Sequence, residues 1–185
     1  MKLRLLSILP FLKNLLPIPV EPTLETNAYL GKWFQVATSR STALLGTGTD
    51  YRNVTALYNI SFVDTQWPKS VITVLNSGLK GNGNYTEIKG YSYTTGNLPT
   101  KRKLHFDGVP TDGNYWIVYL GPIINKEYAY AIVSGAITKV VGTRFSLYIL
   151  ARNVEEYRAH YESTVKQWCK DNGYTMWWNE YVSTI

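Results

Sequence analysis

The sequence Asn-Ala-Tyr-Leu-Gly-Lys-Trp-Phe-Gln-Val-Ala, residues 27–37, decides the fold of this chain. Gly31 stands just before an extended run, and a glycine there lets the backbone turn tightly. The run itself, 32–39, contains aromatic and β-branched residues that are typical of a strand. This stretch therefore predicts a turn followed by the strand with which the sheet begins.

Downstream of this strand the chain consists of short extended runs separated by turn residues. Seven further runs have the length and residue types of strands: 51–63, 70–77, 85–93, 101–106, 115–120, 128–134 and 144–151. Eight antiparallel strands in sequence order close naturally into an up-and-down barrel, which leaves no exposed sheet edge. The sequence therefore predicts an all-β fold, an eight-stranded antiparallel up-and-down β-barrel.

The hydrophobic periodicity changes after residue 152. Apolar residues recur at three- and four-residue spacing, which predicts a helix with one apolar stripe formed by Val154, Tyr157, Tyr161, Val165 and Trp168. Asn153 is placed to cap the start of this helix, and Asn172-Gly173 supplies its stop. A short aromatic segment, 174–181, ends the fold. We therefore expect a C-terminal α-helix packed outside the barrel and a short final strand.

The composition favours a β-rich protein that handles an apolar compound. Of the 185 residues, 45% are hydrophobic and 14% aromatic, whereas only 17% are charged. Tyr and Trp suit cavity walls because each has an apolar ring and a polar group. The net charge of +6 is spread thinly beyond the first 20 residues, apart from Lys101, Arg102 and Lys103, which we interpret as a solvated strand end. Since a nucleic-acid groove needs a clustered basic stripe, no nucleic-acid partner is expected.

Residues 1–26 are interpreted as an N-terminal segment that precedes a domain at 27–185. A basic-then-apolar pattern in the first 12 residues favours a secretory signal, and a retained amphipathic helix is the alternative. Pro17, Pro19 and Pro22 then indicate an extended linker. A secreted or extracytoplasmic protein is therefore expected. Because Cys169 is the only cysteine, we expect neither an intrachain disulfide nor a lipid anchor near the N-terminus.

Four segments, 27–37, 53–58, 126–135 and 147–152, carry a resemblance to a known family. In this order and spacing the chain resembles the lipocalin family, and within it the bacterial-lipocalin and apolipoprotein-D-like branch, over residues 27–180. The resemblance implies a structural motif of Gly31, Trp33, Tyr128 and Arg152. Trp33 would plug one end of the barrel, while Arg152 would lie across the indole and donate hydrogen bonds to nearby carbonyls. Lys126-Glu127-Tyr128 departs from the Thr-Asp-Tyr usual in the family.

Alternation along each strand predicts which side chains face the cavity. If Arg152 points to the closed end beneath the cavity, alternation gives the inward face of the last strand. The family pattern gives the inward face of the other strands. The expected ligand-binding residues are Val54, Ala56, Tyr58, Thr73, Leu75, Leu104, Phe106, Tyr115, Ile117, Tyr119, Ala129, Ala131, Ser146, Tyr148 and Leu150. Such a wall would hold an acyl chain while a Tyr hydroxyl engages a polar head.

The resemblance implies binding and transport or sequestration of a small hydrophobic ligand, such as a fatty acid, a lysophospholipid or a similar molecule. The alternative is a structural or partner-binding barrel with a filled interior and no ligand. No cofactor is expected. Peripheral contact with a membrane and the oligomeric state are left open.

Catalytic residues and a metal site are not expected in this chain. His105 lies between the inward Leu104 and Phe106, so alternation turns it outward. His160 lies off the apolar stripe of the predicted helix. Cys169 is interpreted as a buried, unreactive thiol rather than a nucleophile. An isomerase or hydrolase that uses Cys169 is therefore rejected, and no enzyme activity is expected.

Overall fold

A computed structural model describes residues 18–42, 51–61, 70–135 and 146–185 of the chain. The strands are β1 (Gly31–Ser39), β2 (Arg52–Ser61), β3 (Val71–Leu79), β4 (Tyr85–Thr94), β5 (Lys101–Phe106), β6 (Gly113–Leu120), β7 (Ile123–Ile124), β8 (Glu127–Tyr128), β9 (Tyr130–Gly135), β10 (Ser146–Ala151) and β11 (Tyr181–Ser183). The helices are α1 (Thr26–Tyr29), α2 (Arg40–Thr42), α3 (Val154–Glu156) and α4 (Glu162–Asp171). A π-helical turn, Tyr157–Tyr161, joins α3 to α4, and these three segments form the C-terminal helix.

Eight of the strands close into one antiparallel barrel. Their order is β1–β2–β3–β4–β5–β6–β9–β10, and β10 returns to pair with β1. In this closing pair Phe34 lies opposite Ala151, and Thr38 lies opposite Tyr148. β11 pairs with the end of β1 and lies outside the barrel order. The predicted all-β fold is confirmed, with its eight-stranded barrel, its C-terminal helix and a final strand that begins at Tyr181.

The pairing of the strands distinguishes two ends of the barrel. At one end Gly31 pairs with Tyr58, and Ala151 pairs with Tyr130 immediately before Arg152. We call this the closed end. The turns at 80–84 and 107–112, which connect β3 to β4 and β5 to β6, lie at the opposite end, called the open end.

Buried apolar residues form two clusters, one inside the barrel and one between the barrel and the C-terminal helix. In β9, Ala131 and Val133 belong to the interior cluster, whereas Tyr130 and Ile132 belong to the cluster beneath the helix. Both faces of β9 are therefore covered. This explains why its sequence is a continuous apolar run rather than an alternation of apolar and polar residues.

The C-terminal helix begins and ends as the sequence predicts. Asn153 Oδ1 accepts hydrogen bonds from the backbone N–H groups of Glu155 at 2.9 Å and Glu156 at 3.0 Å, which satisfies two of the free donors of the first turn. Gly173, with a φ of +86°, follows the last turn. The helix face toward the barrel fully buries Tyr157, Val165 and Cys169.

Residues 18–25 run along the barrel ahead of α1. Ile18 is buried in the cluster beneath the C-terminal helix, and the backbone N–H of Glu21 donates to the carbonyl of Ile117 at 3.1 Å. The basic-then-apolar pattern of the first 12 residues lies outside the described residues, so export and the boundary at residue 27 stay predictions. Within the described ranges, none of the helices has the length and apolar character needed to cross a membrane. Peripheral membrane contact also stays a prediction.

Candidate ligand-binding site

Trp33 and Arg152 seal the closed end of the barrel. Trp33 is fully buried. The guanidinium of Arg152 lies over the indole, with its central carbon 3.8 Å from the ring centroid, a geometry that favours cation–π attraction. The planar guanidinium also donates hydrogen bonds to three backbone carbonyls, those of Ala28, Leu30 and Lys32. Arg152 therefore ties the strand end that carries it to the chain around the Trp33 plug.

Gly31 and Tyr128 lie at the same end. Gly31 has a φ of +94°, in the left-handed region that favours glycine, and a Cβ there would lie 3.1 Å from Nη1 of Arg152. Tyr128 is buried, and its hydroxyl accepts a hydrogen bond from the backbone N–H of Glu25 at 3.1 Å. The structure thus brings all four residues of the expected structural motif to the closed end.

Three buried tyrosines, Tyr29, Tyr58 and Tyr115, lie inside the barrel next to this seal, and we call them the phenol layer. The hydroxyl of Tyr115 is 2.6 Å from that of Tyr29 and 2.9 Å from that of Tyr58. The rings of Tyr29 and Tyr58 stack with centroids 5.6 Å apart, and Tyr29 lies 5.4 Å from the ring of Trp33. The phenol layer is therefore held by both ring packing and hydrogen bonds, and its hydroxyls meet at Tyr115.

Arg102 also lies inside the barrel wall, with a relative exposure of 0%. Its five N–H groups donate to the hydroxyl and carbonyl oxygens of Ser70 and Ser92 and to the carbonyl of Pro99. All of these acceptors are neutral. The interpretation of Lys101, Arg102 and Lys103 as a solvated strand end is therefore wrong for Arg102, because β5 alternates and turns this side chain inward.

Arg102 was not among the expected site residues, although the sequence contains a signal for it. Leu104 and Phe106 were expected to face the cavity, and Arg102 is two residues before Leu104 on the same strand. Period-2 alternation places all three on one face. The two flanking lysines favoured the other interpretation, because a run of three cationic residues usually lies on a solvated surface.

The phenol layer is uncharged at neutral pH. Burial raises the pKa of Tyr58 to about 12 and raises the pKa values of Tyr29 and Tyr115 well above their usual range. For Tyr29, the charges of Arg102 and Arg152 act against burial and lower the pKa. Burial lowers the pKa of the Arg102 guanidinium from its ordinary high value. The interior at this level thus presents neutral hydroxyls beside positive charge.

Little room remains around the phenol layer. The gap between its three rings and Ile72, Val74 and Ser92 is too small to admit a water molecule. This level of the barrel is therefore filled by protein side chains. A ligand in the barrel has to lie on the open-end side of the phenol layer.

Asn76 supplies a polar atom to the interior wall on that side. It pairs with Ala56 of β2 and with Ile88 of β4, and Ala56 belongs to the interior cluster. Cross-strand partners share a face, so Asn76 also points inward. Its Oδ1 is buried and has no hydrogen-bond partner within the described ranges. An unsatisfied buried acceptor is costly, and a donor group of a ligand would relieve that cost.

Most of the expected ligand-binding residues face the barrel interior. Those that lie in or against the interior cluster are Ala56, Tyr58, Leu104, Phe106, Tyr115, Ile117, Ala131, Tyr148 and Leu150. Alternation places Ser146 on the same face of β10. Val54 approaches the inner side of Gly78, where a Cβ would lie 3.3 Å from Cγ2 of Val54. The role of these residues in ligand binding stays a prediction.

The expected orientation is wrong for Thr73 and Leu75. In β3 the interior positions are taken by Ile72 and Val74, which are both buried in the interior cluster. Thr73 instead donates its hydroxyl hydrogen to the carbonyl of Asn59 at 3.2 Å on the exposed face. Because the segment 71–75 is apolar on both faces, its pattern did not distinguish the two orientations.

The expected orientation is also wrong for Tyr119 and Ala129, which both pack against the cluster beneath the C-terminal helix. The pairing of β6 with β9 shifts register between Ile117 and Tyr119, and such a bulge reverses the faces beyond it. Leu120 consequently packs against the interior cluster instead of Tyr119. Ala129 precedes β9 and lies at the bend between β8 and β9, where alternation does not apply.

The groups considered for catalysis lie away from the barrel interior. His105 is on the outer face, where its Nδ1 is 2.8 Å from Oδ1 of Asp112, and Tyr93 donates to Oδ2 of Asp112 at 2.6 Å. His160 is exposed on the C-terminal helix. Cys169 is buried under that helix, and burial raises its pKa to about 12. Within the described ranges no group of three or more His, Cys, Asp or Glu residues is placed to hold a metal ion.

Comparison with known proteins places these features in a family. Residues 24–180 match the family model described as a lipocalin-like domain. The chain is 25% identical over 152 residues to temperature-induced lipocalin-1 of Arabidopsis thaliana, covering 78% of this chain and 71% of that protein. Among solved structures, lobster apocrustacyanin A1 is similar with a TM-score of 0.59 and 14% identity, over 91% of this chain and 89% of that one. H1 crustacyanin of the lobster Homarus americanus has a TM-score of 0.59 and 16% identity, over 89% and 81%.

Proposed function

The chain belongs to the lipocalin family, whose members generally bind small hydrophobic ligands, and on this basis we propose that its barrel binds a fatty acid, a lysophospholipid or a similar molecule for transport or sequestration. The observation that carries the proposal is the apolar interior wall. Inward side chains from β2, β3, β5, β6, β9 and β10 belong to one interior cluster or pack against it. Such a wall with a few polar atoms suits an apolar ligand that needs one oriented end.

The phenol layer limits where the ligand lies. Because the gap between its rings is too small to admit a water molecule, the acyl chain occupies the barrel between this layer and the open end. Phe106, Tyr148 and Val54 line that part of the wall. An acyl chain in contact with these side chains is removed from water, which stabilises the complex by roughly 0.8 kcal/mol for each buried methylene group.

The second candidate is a structural or partner-binding barrel with a filled interior. The observation that favours it is the same filled pocket at the level of the phenol layer. The two functions differ in one measurable property, since only the first requires saturable binding of a small apolar molecule.

Titration of the full chain with a fluorescent fatty acid tests the proposed function. We expect a saturable increase in ligand emission with a stoichiometry of one, and displacement by unlabelled fatty acid. Mass spectrometry of organic extracts of the purified protein would show which lipids accompany it. Absence of saturable binding for fatty acids and lysophospholipids alike would sink the proposal and favour the filled barrel.

A matched pair of substitutions on β2 separates binding in the barrel from binding to its surface. Val54→Phe adds bulk on the inner face, and Leu57→Phe adds comparable bulk on the outer face, where Leu57 is 38% exposed. We expect the first variant to bind the fluorescent fatty acid at least several-fold more weakly and the second to bind it as the unmodified chain does. Equal affinities for the two variants would show that the ligand binds elsewhere.

A further inference from the structure

The base of the barrel interior is electropositive. Arg102 is fully buried, and its five hydrogen bonds all go to neutral oxygen atoms. Arg152 has one acidic neighbour, Glu127, at 3.9 Å, and the side chain of Glu127 is 53% exposed. Both arginine charges act on Tyr29. Among the residues that the structure describes, Arg102 has no acidic partner, and a buried cation of this kind favours a negative group placed nearby, because the low-dielectric interior screens the charge weakly.

The phenol layer has one more proton than its hydrogen bonds use. Tyr29, Tyr58 and Tyr115 carry three hydroxyl protons, and two hydrogen bonds connect the three oxygens. Whichever way the two bonds run, one O–H group remains to donate. Within the described part of the chain this proton has no acceptor, so the layer can donate one hydrogen bond to an acceptor oxygen of a ligand.

We propose that the phenol layer, together with the charge of Arg102, receives the negatively charged end of the ligand, so that an anionic amphiphile binds with its head toward the closed end. This inference rests on the proposed function, because it concerns the same barrel. The spare phenol O–H donates to the anionic oxygen, and a bond to a charged acceptor is about twice as strong as one between neutral groups. Arg102 keeps its protein partners and acts through its field.

The lack of space selects among anionic head groups. Because the gap at the phenol layer is too small to admit a water molecule, a head has to fit against the open-end side of the rings. A carboxylate presents two small oxygens there. A phosphate diester that carries a choline group is larger and also brings a positive charge toward Arg102. The inferred ligand class is therefore a fatty-acid-like carboxylate, which enters the barrel head first.

Three ligands with the same chain and different heads test this inference. Dodecanoate, dodecanol and dodecylamine are competed against the fluorescent fatty acid on the full chain at neutral pH. We expect dodecanoate to bind about tenfold more tightly than dodecanol, and dodecylamine to bind the most weakly. Equal affinities for the three would overturn the head-first inference and leave the proposed function standing. Absence of saturable binding for the fluorescent fatty acid and for lysophospholipids would instead overturn the proposed function itself.

Substitutions in the phenol layer and at Arg102 then identify which groups cause the preference for a carboxylate head. Tyr115→Phe removes the hydroxyl at which both hydrogen bonds meet, so that the O–H groups of Tyr29 and Tyr58 are no longer oriented by a common partner, and Arg102→Gln removes the charge. We expect each change to reduce the preference for dodecanoate over dodecanol by about tenfold while the affinity for dodecanol changes little. Far-UV circular dichroism checks the fold of both variants. If Arg102→Gln fails to fold, Tyr115→Phe decides alone, since it keeps the ring and the charge.

Tyr91→Phe is the matched control, because Tyr91 lies on the outer face of β4 beside His105, with ring centroids 4.9 Å apart. It removes a phenol hydroxyl outside the barrel, and we expect the dodecanoate preference of the unmodified chain. The inference would be overturned if Tyr115→Phe left the preference for dodecanoate over dodecanol unchanged. It would also be overturned if Tyr91→Phe reduced this preference as much as Tyr115→Phe does.

Discussion

The guanidinium carbon of Arg152 lies 3.8 Å from the centroid of the Trp33 ring, and the same guanidinium donates to the carbonyl of Lys32 at 2.8 Å. One side chain thus covers the plug and bonds the backbone beside it. A plug without this cover would expose the indole face to water. The seal of the closed end is therefore a single unit made by two residues from opposite ends of the domain.

Arg152→Lys is expected to destabilise the protein by about 2–3 kcal/mol, because a lysine ammonium neither stacks flat on the indole nor reaches three carbonyls at once. Urea unfolding followed by tryptophan fluorescence measures the change. Arg158→Lys, on the exposed side of the C-terminal helix, is the control and should leave the free energy of unfolding nearly unchanged. A loss of similar size in both variants would contradict the special role of Arg152.

Gly31→Ala is expected to destabilise more than Gly83→Ala. The two glycines have similar φ values, +94° and +82°, so both substitutions carry the cost of a left-handed alanine, about 1 kcal/mol. Only at Gly31 does the added Cβ meet another group, Nη1 of Arg152, at 3.1 Å, whereas nothing lies within 4 Å at Gly83. The difference between the two free energies of unfolding reports the contact with Arg152, and a difference of zero would show that the contact is unimportant.

Stability is expected to fall in alkaline solution as the phenol layer is forced to ionise. The folded-state pKa of Tyr58 is raised from 10.0 to about 12, so the stabilisation is complete below pH 10 and is lost as the pH rises toward 12. Two pKa units correspond to about 2–3 kcal/mol. Denaturant unfolding across this pH range, together with tyrosinate absorbance, measures the loss.

Two phenylalanine variants test whether Tyr58 causes this loss of stability in alkaline solution. In Tyr58→Phe the stability should fall less steeply above pH 10, because one buried titrating group is gone. Tyr85→Phe removes a tyrosine that is 64% exposed and should keep the slope of the unmodified chain. Identical slopes in all three proteins would mean that Tyr58 ionises as freely in the folded state as in the unfolded chain.

Cys169 is expected to be unreactive in the folded protein. It is buried, and burial raises its pKa to about 12, so very little thiolate forms at neutral pH. A thiol reagent such as a disulfide dye should react slowly with the native chain and rapidly in denaturant, where the thiol is exposed. Cys169→Ser should leave ligand binding unchanged, and rapid labelling of the native chain would contradict the burial of this thiol.

Local patterns were sufficient to predict the fold, because each of its decisive features depends on residues that are close together in the sequence. Turn residues delimit the strands, and the change to three- and four-residue spacing after residue 152 indicates the C-terminal helix. The cap at Asn153 and the stop at Gly173 follow from the chemistry of single side chains. The π-helical turn Tyr157–Tyr161 was not predicted, since it adds a residue to one turn without interrupting the apolar spacing.

The orientation of individual strands was harder to predict, because it depends on long-range pairing. In β10 the expected direction of Arg152 predicted which side chains point inward, and Tyr148 and Leu150 do face the interior. In the first half of β3 apolar residues occur on both faces, so Thr73 and Leu75 were assigned to the wrong side. In β6 one bulge after Ile117 was enough to turn Tyr119 outward.

Arg102 illustrates a different limit of sequence reasoning. A charged side chain is ordinarily assigned to solvent, because burying it is costly unless hydrogen bonds replace the lost water. Here Ser70, Ser92 and Pro99 supply those bonds, and they come from three separate places in the chain. Their convergence on one guanidinium becomes visible only once the barrel is assembled.

The pairing of β1 has a consequence for how the barrel is made. β1 pairs with β2, with β10 and with β11, and the bond from Arg152 to the carbonyl of Ala28 spans 124 positions in the sequence. On the ribosome, β1 leaves the exit tunnel long before β10 and has one unpaired edge until β10 arrives. The barrel therefore closes only after β10 has been synthesised, and a chain that stops before residue 146 would expose two strand edges to its neighbours.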